Sequence, residues 1–89
     1  MAGRKPTVDD DRILFEILIH TDPFVVAADL TEPLDMGRNG VLKRLDKLAE
    51  SDAGYVEKAE KPSVNIYWLT RAGRERAADY SRGNISGNQ

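Results

Sequence analysis

Three apolar stripes at helical spacing open the chain, an alternating stretch follows, and a polar helical pattern ends it. In "VDDDRILFEILIHTD", residues 8–22, Ile13, Leu14, Ile17 and Leu18 fall on one face of an α-helix. Asp9 or Asp10 can cap its first turn, where carboxylates suit the positive end of the helix dipole. In "PFVVAADLTEP", residues 23–33, Val26, Ala27 and Leu30 give a second stripe. Pro23 can begin that helix, and Pro33 ends it or follows its end closely. The third segment, "DMGRNGVLKRLDKLAE" at 35–50, is bounded by Asp35 and by Gly54, a good C-terminal stop. "YVEKAEKPSVNIYWL", residues 55–69, is rich in Val, Ile, Tyr and Trp and predicts two short strands around a polar turn at Glu60, Lys61, Pro62 and Ser63. "TRAGRERAADYS", residues 70–81, predicts a last helix capped by Thr70. In so short a chain the first three helices bury their stripes only against one another, and the hairpin closes the open side. The expected fold is α+β: a three-helix core with a two-stranded β-hairpin and a C-terminal helix, in one domain at 8–80. Polar tails rich in Gly, Ser or Asn are expected at 1–7 and 81–89.

The third helix carries the chemistry. At 100° per residue, Val41, Leu42, Leu45, Leu48 and Ala49 share an apolar arc. Asn39, Gly40, Lys43 and Lys47 lie opposite, Arg44 on the flank and Arg38 in the first turn. Arg and Lys can donate to guanine O6 and N7, and Asn can pair with adenine N6 and N7, so this side suits the major groove of DNA. A solvated helix face has the same composition, and the helix alone leaves both readings open. Gly40 costs about 1 kcal/mol of helix propensity relative to Ala, which calls for a packing or functional reason.

Composition changes the picture in two ways. The 89 residues contain no cysteine, which excludes a disulfide framework and thiol chemistry. No apolar run approaches the roughly 20 residues that span a bilayer, and "MAGRKPTVDDD" has no apolar segment of the secretory type, so a cytoplasmic protein with no membrane partner is expected. The net charge of −2 is unevenly spread. Residues 1–37 hold three basic and eight acidic side chains, a balance of −5, whereas residues 38–82 hold ten and seven, a balance of +3. Phosphate binding needs a local positive surface rather than a basic protein.

The order and spacing of several short pieces resemble the small winged helix-turn-helix regulators of archaea. The pieces are "DDRIL", "VAADLTEPLDMGRNGVLKRLDKLAE", "GYVEK" and "YWLTRAGRE", and the likeness runs from Asp11 to Ala78. They look most like the haloarchaeal phage-repressor-like group, related in shape to the MarR family. The resemblance implies a winged helix-turn-helix and a sequence-specific transcription regulator, a repressor that occupies double-stranded DNA. It implies a recognition helix at about 37–52, with Arg38, Asn39, Gly40, Lys43, Arg44 and Lys47, and a wing at 58–65 on the backbone or minor groove, with Lys58, Lys61, Ser63 and Asn65. Gly37 and Gly40 depart from the pattern, since relatives often carry a cap hydroxyl and a larger side chain there. Glu57 and Glu60 dilute the charge of the wing.

Other features have simpler readings. His20, the single histidine, sits at the end of the first helix, where a cation suits the dipole. Asp9, Asp10 and Asp11 read as a capping, solvated run, because adjacent carboxylates at a helix start do not converge on a metal. "GRNG" lacks the lysine and spacing of a phosphate-binding loop. No catalytic set can be assembled, so neither an enzyme nor a cofactor is expected, and no small-molecule ligand is inferable. On the first helix Val8, Phe15 and Ile19 form a second apolar side. It is a candidate homodimer interface together with Trp68 and Tyr80, or else the wing or tail covers it. A protein–protein module that does not bind DNA is the alternative function.

Overall fold

The computed structural model describes residues 8–86. The order is α1 (Asp10–Ile19), α2 (Ala27–Leu34), α3 (Arg38–Glu50), β1 (Val56–Glu60), β2 (Asn65–Leu69) and α4 (Arg71–Ser86). This is the expected three-helix core with hairpin and final helix. The buried cluster draws Ile13, Leu14 and Ile17 from α1, Ala27, Leu30 and Leu34 from α2, and Val41, Leu45 and Leu48 from α3. Val56, Tyr67 and Leu69 close it from the hairpin and Ala77 from α4. Leu18, Leu42 and Ala49 lie at its half-buried margin.

Local chemistry sets the helix ends. Asp9 caps α1, accepting from the Arg12 N–H at 3.0 Å. At the start of α2, the Asp29 carboxylate accepts from the Val26 N–H at 3.0 Å and the Asp29 N–H donates to the Val26 carbonyl. Pro33 lies inside the last turn of α2, and its carbonyl accepts from the Arg12 guanidinium at 2.9 Å. The same guanidinium donates to Glu16 at 2.8 Å, which gives this buried carboxylate of α1 its counter-ion.

Three expectations are corrected. Pro23 does not begin α2: Pro23 and Phe24 lie in a bend, and the extended Val25 bridges to Tyr67 through reciprocal bonds of 2.8 and 2.9 Å. The free edge of β2 offers a donor and an acceptor at Tyr67, and an extended Val25 satisfies both. The hairpin turn falls one residue later than expected, at 61–64. Glu60 pairs with Asn65 as the last rung, and the Lys61 N–H donates to the Val64 carbonyl. The folded part does not end at residue 80, because α4 continues to Ser86. Gly83 keeps a negative φ there and so does not act as a stop, and Arg82 pairs with Asp79 across one turn. The tail expected at 1–7 lies outside the described residues.

Thr70 joins hairpin to α4. Its hydroxyl accepts from the Gly73 N–H at 3.1 Å and donates to the Gly54 carbonyl, while its own N–H donates to the Tyr55 carbonyl at 3.0 Å. Gly54 adopts φ +68°, a left-handed conformation that favours glycine.

Candidate nucleic-acid interface

The turn between α2 and α3 decides where α3 points. Asp35 takes the left-handed conformation at φ 53° and ψ 48°, which short polar side chains tolerate better than most. The Asp35 and Met36 N–H groups donate to carbonyls of Glu32 and Thr31 and end α2 within one residue. Gly37 then begins α3 in extended conformation without a side-chain cap. Buried Val41, Leu45 and Leu48 fix the rotation of α3, so Asn39, Lys43 and Lys47, at successive i, i+4 positions, form an exposed row. Gly40 lies beside this row against the Met36 methyl group.

The wing stands next to the first turn of α3. A cleft of about 290 Å³ separates them, lined by Arg38 and Leu42 of α3, Val26, Ala27 and Ala28 at the start of α2, and residues 61–65. Arg38, Lys61, Ser63 and Asn65 therefore border one space, beside the row of Asn39, Lys43 and Lys47.

Two expected site residues sit differently. The Lys58 ammonium lies 3.1 Å from Asp46 of α3 and 3.4 Å from Glu60. The Tyr67 hydroxyl donates to the same Asp46 oxygen at 2.6 Å. Burial pushes the Asp46 carboxyl up, but the bonds from Tyr67 and Lys58 and the Lys58 charge outweigh it and hold the group below its ordinary value. Burial and the bond to Asp46 push the Tyr67 phenol up to about 12. Lys58 thus fastens the wing to α3. Arg44 pairs with Asp10 of α1 at 2.8 Å. In contrast, Arg38, Lys43, Lys47 and Lys61 form no ion pair among the described residues.

The stripe on α1 is not one open surface. The Phe15 and Tyr80 rings pack on each other, 5.8 Å between centroids. Val8 packs at the margin of the core, and Trp68 is half-buried. Ile19 remains 54% exposed. His20 lies beyond it, its Nε2 buried 3.5 Å from Asp29 and 3.8 Å from Asp22. Sequence reasoning missed Asp46 and Tyr67 as the residues that position the wing. The signal was a Tyr in a strand predicted to face the core, whose hydroxyl needs a buried partner.

No protein-family model matches the chain, and no curated sequence does so. Solved structures do. A mutant of ZitR from Lactococcus lactis in apo form aligns with a TM-score of 0.69 at 19% identity, covering 86% of this chain and 57% of that one. The adhesin competence repressor AdcR from Streptococcus pyogenes aligns at 0.70 and 15%, covering 86% and 56%. FabT from Streptococcus pneumoniae, solved in complex with DNA, aligns at 0.62 and 20%, covering 83% and 54%. The chain spans little more than half the length of these structures. The matched structures include winged-helix transcription regulators of the MarR family, and at such identities the likeness establishes that this chain has their winged helix-turn-helix fold.

Proposed function

We propose that the chain is a sequence-specific transcription regulator, or the DNA-binding part of one, acting in the cytoplasm as a repressor that occupies duplex DNA. One observation carries this reading. Arg38, Lys43, Lys47 and Lys61, which have no acidic partner among the described residues, lie along the exposed row of α3 and its cleft with the wing, whereas Arg74, the other described cation without one, donates to the Leu69 carbonyl. The first turn of α3 also lacks acidic residues, and its dipole adds partial positive charge. The resemblance of the second and third helices and of "YWLTRAGRE" to phage-repressor-like regulators supports the repressor role, and the DNA complex of FabT supports the partner. Lys43 and Asn39 reach base edges in this arrangement, while Arg38, Lys47 and Lys61 contact phosphate. Two copies on one duplex would occupy half-sites about one helical turn apart, with the exposed Ile19 as the remaining element of an apolar contact.

The test is fluorescence anisotropy on a duplex selected from a random pool and on random duplex, each at two salt concentrations. Phosphate contacts give salt-dependent affinity and base contacts give choice. Lys61→Ala should weaken binding to both duplexes alike, and Asn39→Ala should cost about 1–3 kcal/mol on the selected one alone. Equal losses for the two variants on both duplexes refute this division of roles. Absence of salt-sensitive binding to any duplex favours the protein–protein module.

A further inference from the structure

The run Asp9, Asp10, Asp11 at the start of α1 is more than a solvated cap. Successive helical positions differ by 100°, so the three carboxylates turn to different partners. Asp9 accepts from the backbone of α1 itself. Asp11 holds Arg76 of α4 through two bonds of 2.7 and 3.3 Å. Asp10 reaches the recognition helix and accepts from the Arg44 guanidinium at 2.8 Å. Arg44 is the flank residue of α3 next to the exposed row, and its side chain keeps 26% of its exposure.

We propose that Asp10 is a specificity-determining residue of the DNA interface: it neutralises Arg44 and thereby lowers sequence-independent affinity. This inference rests on the proposed DNA-binding function. A phosphate approaching Arg44 must displace a carboxylate of like charge already in place. The exchange trades one ion pair for another, and its net gain is small. Phosphate affinity depends on how many backbone charges are neutralised by free cations. With Arg44 engaged, α3 offers Arg38, Lys43 and Lys47 to the duplex rather than four cations. Asp10 is 60% exposed, so the pair is screened and reversible. The carboxylate also places a negative charge at the edge of the interface, which repels a misaligned backbone. Both effects weaken binding to arbitrary sequence while leaving Asn39 and Lys43 free to read bases.

The experiment measures affinity for random-sequence duplex across a salt series, comparing the wild type with Asp10→Asn, Arg44→Ala, the double variant and Lys47→Ala. Asp10→Asn should tighten binding about threefold and steepen the slope of log K against log salt by about 0.9, the share of one added phosphate contact. Arg44→Ala alone should leave the slope unchanged, and in the double variant the slope should return to the wild-type value. An unchanged slope in Asp10→Asn, with Lys47→Ala still reducing it, overturns the role of Asp10 and leaves DNA binding intact. No salt-dependent binding by the wild type overturns both. Circular dichroism confirms the helix content of each variant, and because Arg44→Ala lies on a different helix, the double variant separates the loss of the pair from a defect at the start of α1.

Discussion

Gly73→Ala should be among the most damaging single-methyl changes in the molecule. Gly73 sits in the first turn of α4, where the helix crosses the entry to β1. A Cβ there would lie 2.1 Å from the Tyr55 carbonyl oxygen, 3.0 Å from its carbon and 3.2 Å from a Leu69 methyl group. Backbone cannot swing aside as a side-chain tip can, so helix and strand must part by roughly 1 Å to restore ordinary contact, in an interior packed to crystal-like density. That movement pulls on the bond from the Thr70 N–H to the Tyr55 carbonyl and on the bond from the Thr70 hydroxyl to Gly54. Overpacking of this kind costs about 1–3 kcal/mol, and each weakened bond about 1 kcal/mol. The gain in helix propensity returns about 1 kcal/mol. The net expectation is a loss of about 2–4 kcal/mol, a large part of the roughly 5–15 kcal/mol that stabilises a typical domain.

The assay is urea unfolding followed by circular dichroism, with Gly83→Ala as the matched control. Gly83 lies in the same helix, but a Cβ there meets nothing within 4 Å. The control should be neutral or more stable by up to about 1 kcal/mol. Opposite signs for one chemical change in one helix would isolate the close approach at Tyr55. If Gly73→Ala lies within about 0.5 kcal/mol of the wild type, the contact argument is wrong.

Gly40→Ala separates stability from binding. Its Cβ would meet the flexible Met36 methyl at 3.4 Å, so thermal unfolding should show a gain of up to about 1 kcal/mol. Affinity for duplex should fall, because the backbone can no longer approach the groove as closely; unchanged affinity would assign Gly40 no part in the interface. The Asp46–Tyr67 bond predicts a stability profile that falls at both extremes of pH. Asp46 has a lowered value in the folded state, so its contribution is present above the ordinary 3.8 and is lost as the pH falls through the folded value. Tyr67 has a raised value, so its contribution is full below 10.0 and is lost as the pH rises towards about 12. Urea midpoints across pH should show the alkaline loss in the wild type and not in Tyr67→Phe; coincident alkaline profiles refute it.

The element order was legible because three-to-four spacing and alternation report burial directly, and most buried residues of α1, α2 and α3 belong to those stripes, with Glu16 and Leu34 added and Val26 left half-buried before α2. The errors fall where tertiary partners outvote local signals. Pro23 looks like a helix start, yet an unpaired strand edge 44 positions away at Tyr67 holds Val25 extended. The tail expected at 81–89 rested on its content of Gly, Ser and Asn, but Gly83 takes no positive φ and α4 runs on to Ser86. At the proposed interface, the exposed face of α3 was readable from its periodicity. Which cations are free was not. Arg44 and Lys58 look like Lys43 and Lys61 in sequence, and their partners Asp10 and Asp46 lie 34 and 12 residues away.

Those pairings also explain how a chain of net charge −2 can present a positive face. The excess acid of residues 1–37 is not spread evenly around the fold. Asp10 and Asp11 spend their charge on Arg44 and Arg76, and Glu16 spends its charge on Arg12. Asp46 holds Lys58 on the side of α3 that faces the wing. Each pair cancels a cation outside the exposed row, and among the described residues those left uncancelled are Arg38, Lys43, Lys47 and Lys61 at that face and Arg74, which donates to the Leu69 carbonyl. Exposed charges beyond about 8 Å are largely screened at physiological salt, so an approaching phosphate responds to the four at that face and little to the total. The tie between Asp46, Lys58 and Tyr67 adds the mechanical half. It holds the wing against α3, so the cleft between Arg38 and Lys61 is set by folding rather than by binding. Lys58→Ala should therefore harm DNA binding by loosening the wing, through geometry more than through charge.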